Sequence, residues 1–302
     1  MLRWRIILGV LFIGLLALLS KADMQSQRPG LCLLPLAILL AVLASQEMLR
    51  LLRAANFKPV SWIVYFGTTL TVLFACAPIA WQEYPVDCPV GRLGWLACGL
   101  SGAIVIALVS EVGRYQQSSP SIANLCATSL SLLYVGGLLG FILQLRLLPV
   151  GGNTSAGGML ALLSMIIVVK ATDIGAYTTG RLFGRRKLAP TLSPGKTWEG
   201  AIGGLIFAVI GSMLALGPLA ESLDVEITRS GITWLTIAVI YGLVVGAAGV
   251  FGDLAESMLK RDAGVKDSSE WLLGFGGVLD LLDSLLLAAP VAYVFWVSGL
   301  IV

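Results

Sequence analysis

The chain has 302 residues, of which 57% are hydrophobic and only 12% are charged. A typical soluble domain has about 25% charged residues, so this composition excludes both a soluble globule and a disordered chain. The net charge of +3 gives no sign of a nucleic-acid-binding surface. Histidine is absent, which excludes Ser-His-Asp and Cys-His nucleophiles, histidine bases and histidine-ligated metals. One polytopic membrane domain is the class of protein that remains.

Nine apolar segments are long enough to cross a bilayer, which requires roughly 20 mostly apolar residues. They predict an all-α polytopic integral membrane protein with about nine transmembrane helices. In chain order, the predicted spans are residues 5–20, 30–49, 60–80, 93–110, 122–145, 157–178, 200–219, 231–251 and 277–300. The first span lacks an evident cleavage site, so we expect a retained helix rather than a signal peptide.

Lysine and arginine are distributed unevenly between the predicted loops. With the N-terminus inside and nine spans, 14 of the 20 basic residues lie in cytoplasmic loops and five lie outside. The acidic loop that contains Glu221, Asp224 and Glu226 falls outside. Because cytoplasmic loops carry an excess of basic residues, this distribution predicts that the basic segments 181–196 and 260–266 face the cytoplasm.

The last four predicted spans carry ionisable residues where lipid is expected. Such a residue costs roughly 2.5 kcal/mol or more at the bilayer centre, so it usually marks a functional cavity. In chain order these residues are Lys170, Asp173, Asp253, Glu256, Asp280 and Asp283. All six lie in the same half of the chain, which favours a functional cluster over separate structural ion pairs.

The spacing of these acids indicates their chemistry. Asp280 and Asp283 are three residues apart, so both carboxylates face one way on a helix. Asp253 and Glu256 repeat this spacing, and Lys260 extends the same face. Hard oxygen ligands suit Mg²⁺ or Mn²⁺ rather than zinc, and Mg²⁺ is usually held by one or two carboxylates together with substrate phosphates. The acids therefore predict a divalent-cation site, with one ion or two.

A basic, glycine-containing loop precedes the seventh predicted span. Residues 193–200 have the sequence SPGKTWEG, which is similar to the end of a Walker A motif, but Pro190 stands where the first glycine should be. No strand is expected before it, which argues against a P-loop fold. Its tight turn and the N-terminus of the following helix nevertheless favour anion binding. Residues 185–187 could serve the same anion or only orient the chain, and both readings stay open.

A second basic segment, with Lys260, Arg261 and Lys266, follows the Asp253 cluster. Acids suited to a metal ion beside lysines, on the cytoplasmic side of a membrane, indicate phosphoryl or nucleotidyl transfer. The glycines of segment 274–277 would let the backbone approach a ligand closely just before Asp280.

Taken together, these residues resemble the C-terminal signature of the phosphatidate cytidylyltransferases, also called CDP-diacylglycerol synthases. The elements of the signature are S-x-x-K-R at 257–261, K-D at 266–267, G-F-G-G at 274–277 and D-x-x-D at 280–283. Further matches are residues 173–177, 193–200 and 252–253. The resemblance covers roughly residues 165–290, and the long spacing is specific. The first 150 residues match only as hydrophobic spans.

The sequence departs from the family pattern at three positions. Phe275 replaces the family histidine, Leu281 replaces the arginine of D-R-x-D, and Leu273 stands where proline is usual. The aspartates, the lysines and the SPGKTWEG loop are retained. Because a degenerate enzyme would lose metal ligands as readily as accessory groups, we expect an active variant.

The resemblance implies transfer of CMP from CTP to phosphatidic acid, giving CDP-diacylglycerol and pyrophosphate in phospholipid biosynthesis. It implies that Mg²⁺ or Mn²⁺ is bound by Asp253, Asp280 and Asp283. The catalytic residues implied are Lys260, Arg261, Lys266, Asp267 and Asp283. The substrate-binding residues implied are Lys170, Asp173, Tyr177, Ser193, Lys196, Thr197, Glu199, Gly276 and Gly277.

In this interpretation, residues 1–150 form a transmembrane scaffold that gives lipid access, and residues 151–302 form the catalytic region with cytoplasmic basic loops. The expected location is the bacterial inner membrane, with the active site facing the cytoplasm. The expected partners are CTP, phosphatidic acid and the bilayer, without nucleic acid, and a homodimer is left open. Two alternatives remain, a CTP-dependent lipid-alcohol kinase and an ion-coupled transporter. A transporter should show two related halves, and none is evident.

Overall fold

The computed structural model describes residues 2–81, 84–85, 87–117, 120–150, 154–227, 231–265, 269 and 276–301. Within these residues the chain is almost entirely helical. The helices are α1 (Leu2–Gln25), α2 (Leu34–Ala54), α3 (Ser61–Ala75), α4 (Gly91–Gly113), α5 (Ser121–Ser131), α6 (Leu138–Arg146), α7 (Thr154–Phe183), α8 (Trp198–Leu214), α9 (Ala220–Ser222), α10 (Gly231–Asp262) and α11 (Val278–Val297). A short 3₁₀ helix covers Ala77–Ala80, and π-helical turns cover Leu132–Gly137 and Ala215–Leu219.

Seven helical segments of the described chain are long and apolar enough to cross a membrane. They are Leu34–Ala54, Gly91–Gly113, Ser121–Arg146, Ser155–Phe183, Trp198–Ser222, Thr233–Asp262 and Val278–Val297. A helix underlies each of the nine predicted spans, but α3 has only 15 residues and α1 is not among the seven. The predicted all-α polytopic membrane protein is therefore confirmed, whereas the count of nine spans stays a prediction.

The helical continuity of these segments follows from the lipid environment, in which every backbone polar group must be satisfied within its own segment. The sequence gives a local cause for one of the two π-helical turns, Ala215–Leu219. Pro218 lies inside the π-helical turn Ala215–Leu219, and proline has no N–H to donate to the preceding turn. The helix therefore adjusts its hydrogen bonding there and continues into α9.

The chain divides into two compact units. Unit 1 comprises Met1–Gln144 and Leu259–Leu282. Its core includes buried residues of α3, α4 and their neighbours, namely Val60, Ile63, Ala103, Ala107 and Leu132. Small residues bring these helices together, since a Cβ at Gly99 would lie 2.6 Å from the Phe74 Cβ.

Unit 2 comprises Leu145–Met258 and Asp283–Val302. Helices α7 and α8 pack closely along their length, and a Cβ at Gly203 would lie 2.1 Å from the Thr179 hydroxyl. A buried polar group also joins its helices, because the hydroxyls of Ser164 and Tyr241 are 2.8 Å apart.

The functional division predicted at residue 150 is not the division into compact units, since Leu259–Leu282 belongs to unit 1. The functional division stays a prediction.

In unit 2, the loop before α8 is a β-hairpin of β1 (Lys187–Ala189) and β2 (Ser193–Thr197). The expectation that no strand precedes the SPGKT segment is wrong. The hairpin is antiparallel and its second strand contains this segment, so it is not the parallel strand that precedes a P-loop.

Candidate active site

The SPGKTWEG segment forms the second strand of the hairpin and the first turn of α8. The pairing of Lys187 with Thr197 brings the two strand ends together at the helix. The Thr197 hydroxyl accepts the Gly200 N–H at 3.1 Å, as expected of an N-cap threonine. The Trp198 N–H donates to the Arg186 carbonyl at 2.9 Å. Thr197 therefore acts in the structure as a helix cap, and its predicted role in substrate binding stays a prediction.

Glu199 also holds the segment that leads into the first strand of the hairpin. Its carboxylate accepts the N–H groups of Arg185 and Arg186 at 3.0 and 3.1 Å. The side chains of Arg185, Arg186 and Lys187 are all exposed. The carboxylate thus holds the backbone of the basic loop at the start of α8 and leaves the cationic side chains free to meet a ligand.

Two ion pairs bring predicted site residues of unit 2 together. The Lys196 ammonium lies 2.8 Å from the Asp253 carboxylate, which links the hairpin to α10. Within α7, the Lys170 ammonium lies 3.1 Å from the Asp173 carboxylate. The side chains of Lys196 and Asp253 are 22% and 37% exposed, but the Lys196 ammonium nitrogen that forms the pair is buried.

Asp283 completes the cluster in unit 2. It is buried, and its carboxylate accepts the N–H and the hydroxyl of Ser284. A Cβ at Gly252 would lie 2.5 Å from the Asp283 carbonyl oxygen, so the backbones of α10 and α11 are in close contact there. Asp253 interacts electrostatically with both Asp173 and Asp283. We call this set the unit 2 cluster, with the members Lys170, Asp173, Lys196, Asp253 and Asp283.

Two other predicted substrate-binding residues of unit 2 have local partners. Tyr177 is 64% exposed, and its hydroxyl accepts a hydrogen bond from Arg181 at 2.9 Å. Ser193 pairs with Ala189 in the hairpin. Neither contact joins these residues to the unit 2 cluster, and their role in substrate binding stays a prediction.

A second group of predicted site residues lies in unit 1 and consists of Lys260, Gly276, Gly277 and Asp280. The Lys260 ammonium is 2.6 Å from one Asp280 oxygen, and the Gly277 N–H donates to the other oxygen at 2.6 Å. Gly276 has a φ of +82°, and a Cβ there would lie 2.4 Å from the Asp280 carboxylate. Gly276 and Gly277 therefore orient Asp280, and the backbone conformation explains why glycine occupies position 276.

Sequence reasoning missed Glu47 on α2. This residue is buried, and its carboxylate accepts the N–H groups of Val278 and Leu279 at the start of α11. The available signal was a single acid near the end of the apolar span 30–49. Only the packing of α2 against the start of α11 shows what it contacts.

Other predicted site residues are less informative. Arg261 is exposed, and its guanidinium donates to the Val265 carbonyl at 3.4 Å. Lys266, Asp267 and Phe275 lie outside the described residues. Their predicted roles stay predictions.

The predicted metal site can be compared with the donors that the structure brings together. Among the described residues, no group of three His, Cys, Asp or Glu side chains converges on one point. Asp253 and Asp280 each contact a lysine instead. Because Mg²⁺ usually takes one or two carboxylates and completes its shell with phosphate and water oxygens, the carboxylate donors fit such an ion. The assignment of Asp253, Asp280 and Asp283 as its ligands stays a prediction.

Fold and site together define an α-helical polytopic membrane protein in which acids of the spans form ion pairs with lysines, one of them a lysine of a basic hairpin. The family model described as "Cytidylyltransferase family" matches residues 3–298. The chain belongs to the cytidylyltransferase family. The resemblance found in the C-terminal motifs is thereby confirmed for nearly the whole chain.

Several curated relatives carry the name phosphatidate cytidylyltransferase. The protein of Haemophilus influenzae is 40% identical over 192 residues, which cover 64% of this chain and 62% of the relative. The protein of Pseudomonas aeruginosa is 44% identical over 139 residues, covering 46% of this chain and 48% of the relative. The protein of Synechocystis is 33% identical over 213 residues, covering 63% of this chain and 68% of the relative. The first two matches span less than two thirds of those relatives.

Proposed function

We propose that this protein is a phosphatidate cytidylyltransferase that transfers CMP from CTP to phosphatidic acid, giving CDP-diacylglycerol and pyrophosphate. Membership of the cytidylyltransferase family and the names of the relatives support this activity. The structural observation that carries the proposal is the ion pair of Lys196 with Asp253. It joins a cationic hairpin suited to phosphates to an intramembrane carboxylate suited to a divalent cation.

The hairpin has the features of a nucleotide phosphate site. Lys196 lies one residue before the N-cap of α8, where the helix dipole favours an anion. Arg185 and Arg186 add exposed positive charge whose backbone is fixed by Glu199. A triphosphate carries several negative charges, so a preorganised group of cations would bind it more strongly than flexible surface lysines.

The proposed reaction forms one bond and breaks another at the α-phosphorus of CTP. An oxygen of the lipid phosphate attacks this phosphorus, and the bond from the phosphorus to the oxygen bridging the α- and β-phosphates breaks, which releases pyrophosphate. The second pKa of a phosphate monoester is about 6, so the nucleophile is already ionised at neutral pH. The reaction therefore needs no strong general base, which agrees with a chain that contains no histidine.

The reactants are both anions, and the lysines of the site would reduce their repulsion. Lys196 and Lys170 belong to the unit 2 cluster, and Lys260 contacts Asp280 in unit 1. Asp253 and Asp283 would hold Mg²⁺, which when bound would supply further charge neutralisation at the phosphates, and the family resemblance implies Asp280 as a further ligand. A lysine that contacts a carboxylate can also turn to a phosphate, because its ammonium lies at the end of a flexible side chain.

We further propose that the active site faces the cytoplasm of a bacterial inner membrane. CTP is cytoplasmic, and the excess of basic residues in segments 181–196 and 260–266 supports this orientation. Phosphatidic acid would reach the active site by lateral diffusion within the bilayer.

The direct test is to incubate detergent-purified protein with phosphatidic acid, Mg²⁺ and CTP labelled on either the α- or the γ-phosphate. We expect the α-label in a liponucleotide and the γ-label in pyrophosphate. Transfer of the γ-label to a lipid alcohol would establish a kinase instead. Absence of label from lipid in both experiments, with a correctly folded protein, would contradict both enzymatic activities.

A matched pair of variants tests the site itself. Asp253→Asn should lower turnover by about 100-fold or more, comparable to the loss of one strong electrostatic contact in a transition state. Asp224→Asn changes the same type of residue in the acidic loop that is predicted to lie outside, and should stay within about twofold of wild type. Equal activities of the two variants would remove Asp253 from the site.

A further inference from the structure

We propose that Glu47 is a positioning residue that holds the first turn of α11, and with it Asp280, in the geometry needed for cytidylyl transfer. The inference rests on the proposed function. Glu47 lies on α2, 231 residues before Val278 in the sequence, and all the groups it is proposed to organise belong to unit 1. It adds a residue from the N-terminal part of the chain to a site that the sequence motifs place entirely in the C-terminal part.

Two hydrogen bonds of Glu47 are directed at the start of α11. One carboxylate oxygen accepts the Val278 N–H at 3.0 Å, and the other accepts the Leu279 N–H at 2.7 Å. Glu47 is only 4% exposed, so these bonds are shielded from water. Hydrogen bonds to a charged group in such surroundings are stronger than those between neutral partners.

The start of α11 needs these acceptors. The first N–H groups of any helix have no partner within the helix, and a side-chain cap normally satisfies some of them. The residue before Val278 is Gly277, which has no side chain that could act as a cap. Glu47 therefore provides from another helix what a serine or an aspartate at position 277 would provide locally, and its negative charge also favours the helix dipole.

The same turn carries Asp280. Its carboxylate accepts the Gly277 N–H, so the two acids together satisfy three consecutive backbone N–H groups, those of residues 277, 278 and 279. Lys260 then contacts the other oxygen of Asp280. Because Asp280 follows Leu279 directly, a shift of the first turn would move its carboxylate away from Lys260.

Such a displacement should affect the reaction more than substrate affinity. Misplacement of a reacting or charge-stabilising group by about 1 Å can cost about 100-fold in rate. A role in stability alone would instead affect the folded population and leave the turnover of each folded molecule unchanged. This difference separates a positioning residue from a merely structural one.

The first experiment measures the start of α11 without using activity. Amide hydrogen exchange of the full-length protein in detergent should be compared for wild type, Glu47→Gln and a control, Ser45→Ala. Glu47→Gln leaves a side chain of the same shape with one acceptor oxygen and no charge, so peptides covering residues 278–282 should exchange about tenfold faster. Ser45 lies on the same helix and bonds the Thr68 hydroxyl at 2.9 Å. Its replacement should leave these peptides unchanged.

The second experiment measures kinetics. Glu47→Gln should lower kcat by about tenfold or more, leave KM for CTP within about twofold, and raise the Mg²⁺ concentration that gives half-maximal activity. Glu47→Asp keeps the charge and both oxygens, so it should recover part of the lost kcat. Ser45→Ala should retain the wild-type kcat and Mg²⁺ dependence, even if its melting temperature falls.

The outcomes are separable. Unchanged exchange at residues 278–282 in Glu47→Gln would overturn the proposed contact. Faster exchange with unchanged kcat and Mg²⁺ dependence would show a structural cap and overturn the positioning role. If wild type forms no liponucleotide at all, the proposed function fails and the positioning role fails with it, while the exchange experiment still reports on the contact.

Discussion

Asp280 shows how a single side chain can be held by several independent contacts. The Lys260 ammonium and the Gly277 N–H contact its two oxygens, and Gly276 has a left-handed backbone that lies close to the carboxylate. A carboxylate restrained in this way loses little further entropy when a ligand binds. The glycine that allows the close approach is therefore as important to the site as the charged residues.

The first prediction concerns this glycine. Gly276→Ala places a methyl group 2.4 Å from the Asp280 carboxylate and strains a backbone with a φ of +82°. We expect cytidylyltransferase turnover to fall by about tenfold or more. The control is Gly264→Ala, because Gly264 has a φ of +70° and no atom within 4 Å of an added Cβ. It isolates the cost of backbone strain, and similar turnover in both variants would contradict the importance of the contact.

Cys88 is the one cysteine that the sequence places in a polar loop. A hydrogen bond from the Tyr84 hydroxyl lowers the pKa of the Cys88 thiol below its ordinary value. The thiolate is the reactive form, so a lower pKa increases the fraction of reactive sulfur at neutral pH. By contrast, Cys98 and Cys126 lie on helices within candidate membrane spans. Cys88 should therefore react faster with a polar reagent than these two.

The second prediction tests this hydrogen bond. In a background with the other four cysteines replaced by alanine, Tyr84→Phe should raise the pKa of Cys88. The smaller thiolate fraction should slow maleimide labelling several-fold at pH 7, and the rate–pH profile should move to higher pH. Trp81→Phe is the control, because Trp81 contacts the Tyr84 ring and leaves its hydroxyl in place. An identical profile in Tyr84→Phe and wild type would refute the role of the hydrogen bond.

At the scale of secondary structure, the hairpin before α8 shows why short strands escape sequence analysis. The strands have only three and five residues, and the second contains proline and glycine, which are rare in strands. What stabilises the hairpin is its attachment to α8 through the Arg186 carbonyl and the Glu199 carboxylate. Local sequence preference contributes little to this element, so composition alone indicated a loop.

The third prediction concerns the attachment of this hairpin. Glu199→Gln removes the charge that holds the N–H groups of Arg185 and Arg186, so the cationic side chains should be less well ordered. If the hairpin binds CTP equally in the ground and transition states, KM for CTP should rise about tenfold while kcat stays within about threefold. Glu226→Gln, in the acidic loop predicted outside, is the control. A fall in kcat with an unchanged KM would contradict this role.

At the scale of the whole molecule, the proposed function sets a requirement on orientation. The hairpin must face the compartment that contains CTP, and the acidic segment 221–226 must then face the opposite side. The predicted topology satisfies both conditions through the distribution of basic residues. The unequal distribution of basic residues between the two sides therefore predicts an orientation in which CTP can reach the hairpin.

The fourth prediction tests this orientation in intact cells. In a Cys88→Ser background, a cysteine at Arg186 should not react with a membrane-impermeant thiol reagent added outside, whereas a cysteine at Asp224 should react. Both positions should react after permeabilisation, which controls for intrinsic reactivity. The opposite pattern in intact cells would invert the topology and separate the hairpin from its nucleotide.

The sequence by itself determined the membrane class, the all-α fold and the family. The physical reason is that these properties depend on local features, since an apolar segment in lipid must satisfy its backbone within a helix. The spacings of the DxxD and SxxKR motifs are equally local, so the family could be inferred from them. The positions of the acids and lysines along the chain are likewise given by the sequence.

Only the tertiary structure decided which of these groups meet. The contact of Lys196 with Asp253 joins residues of separate elements, and the bonds from Glu47 to Val278 and Leu279 cross 231 and 232 residues of sequence. Such contacts depend on which helices pack together and on how far each is shifted along its axis relative to its neighbour. Helical periodicity in the sequence gives no information about either property. The charged residues of the site could therefore be predicted from the sequence. Their partners, and the contribution of Glu47 on α2, depend on how the helices pack.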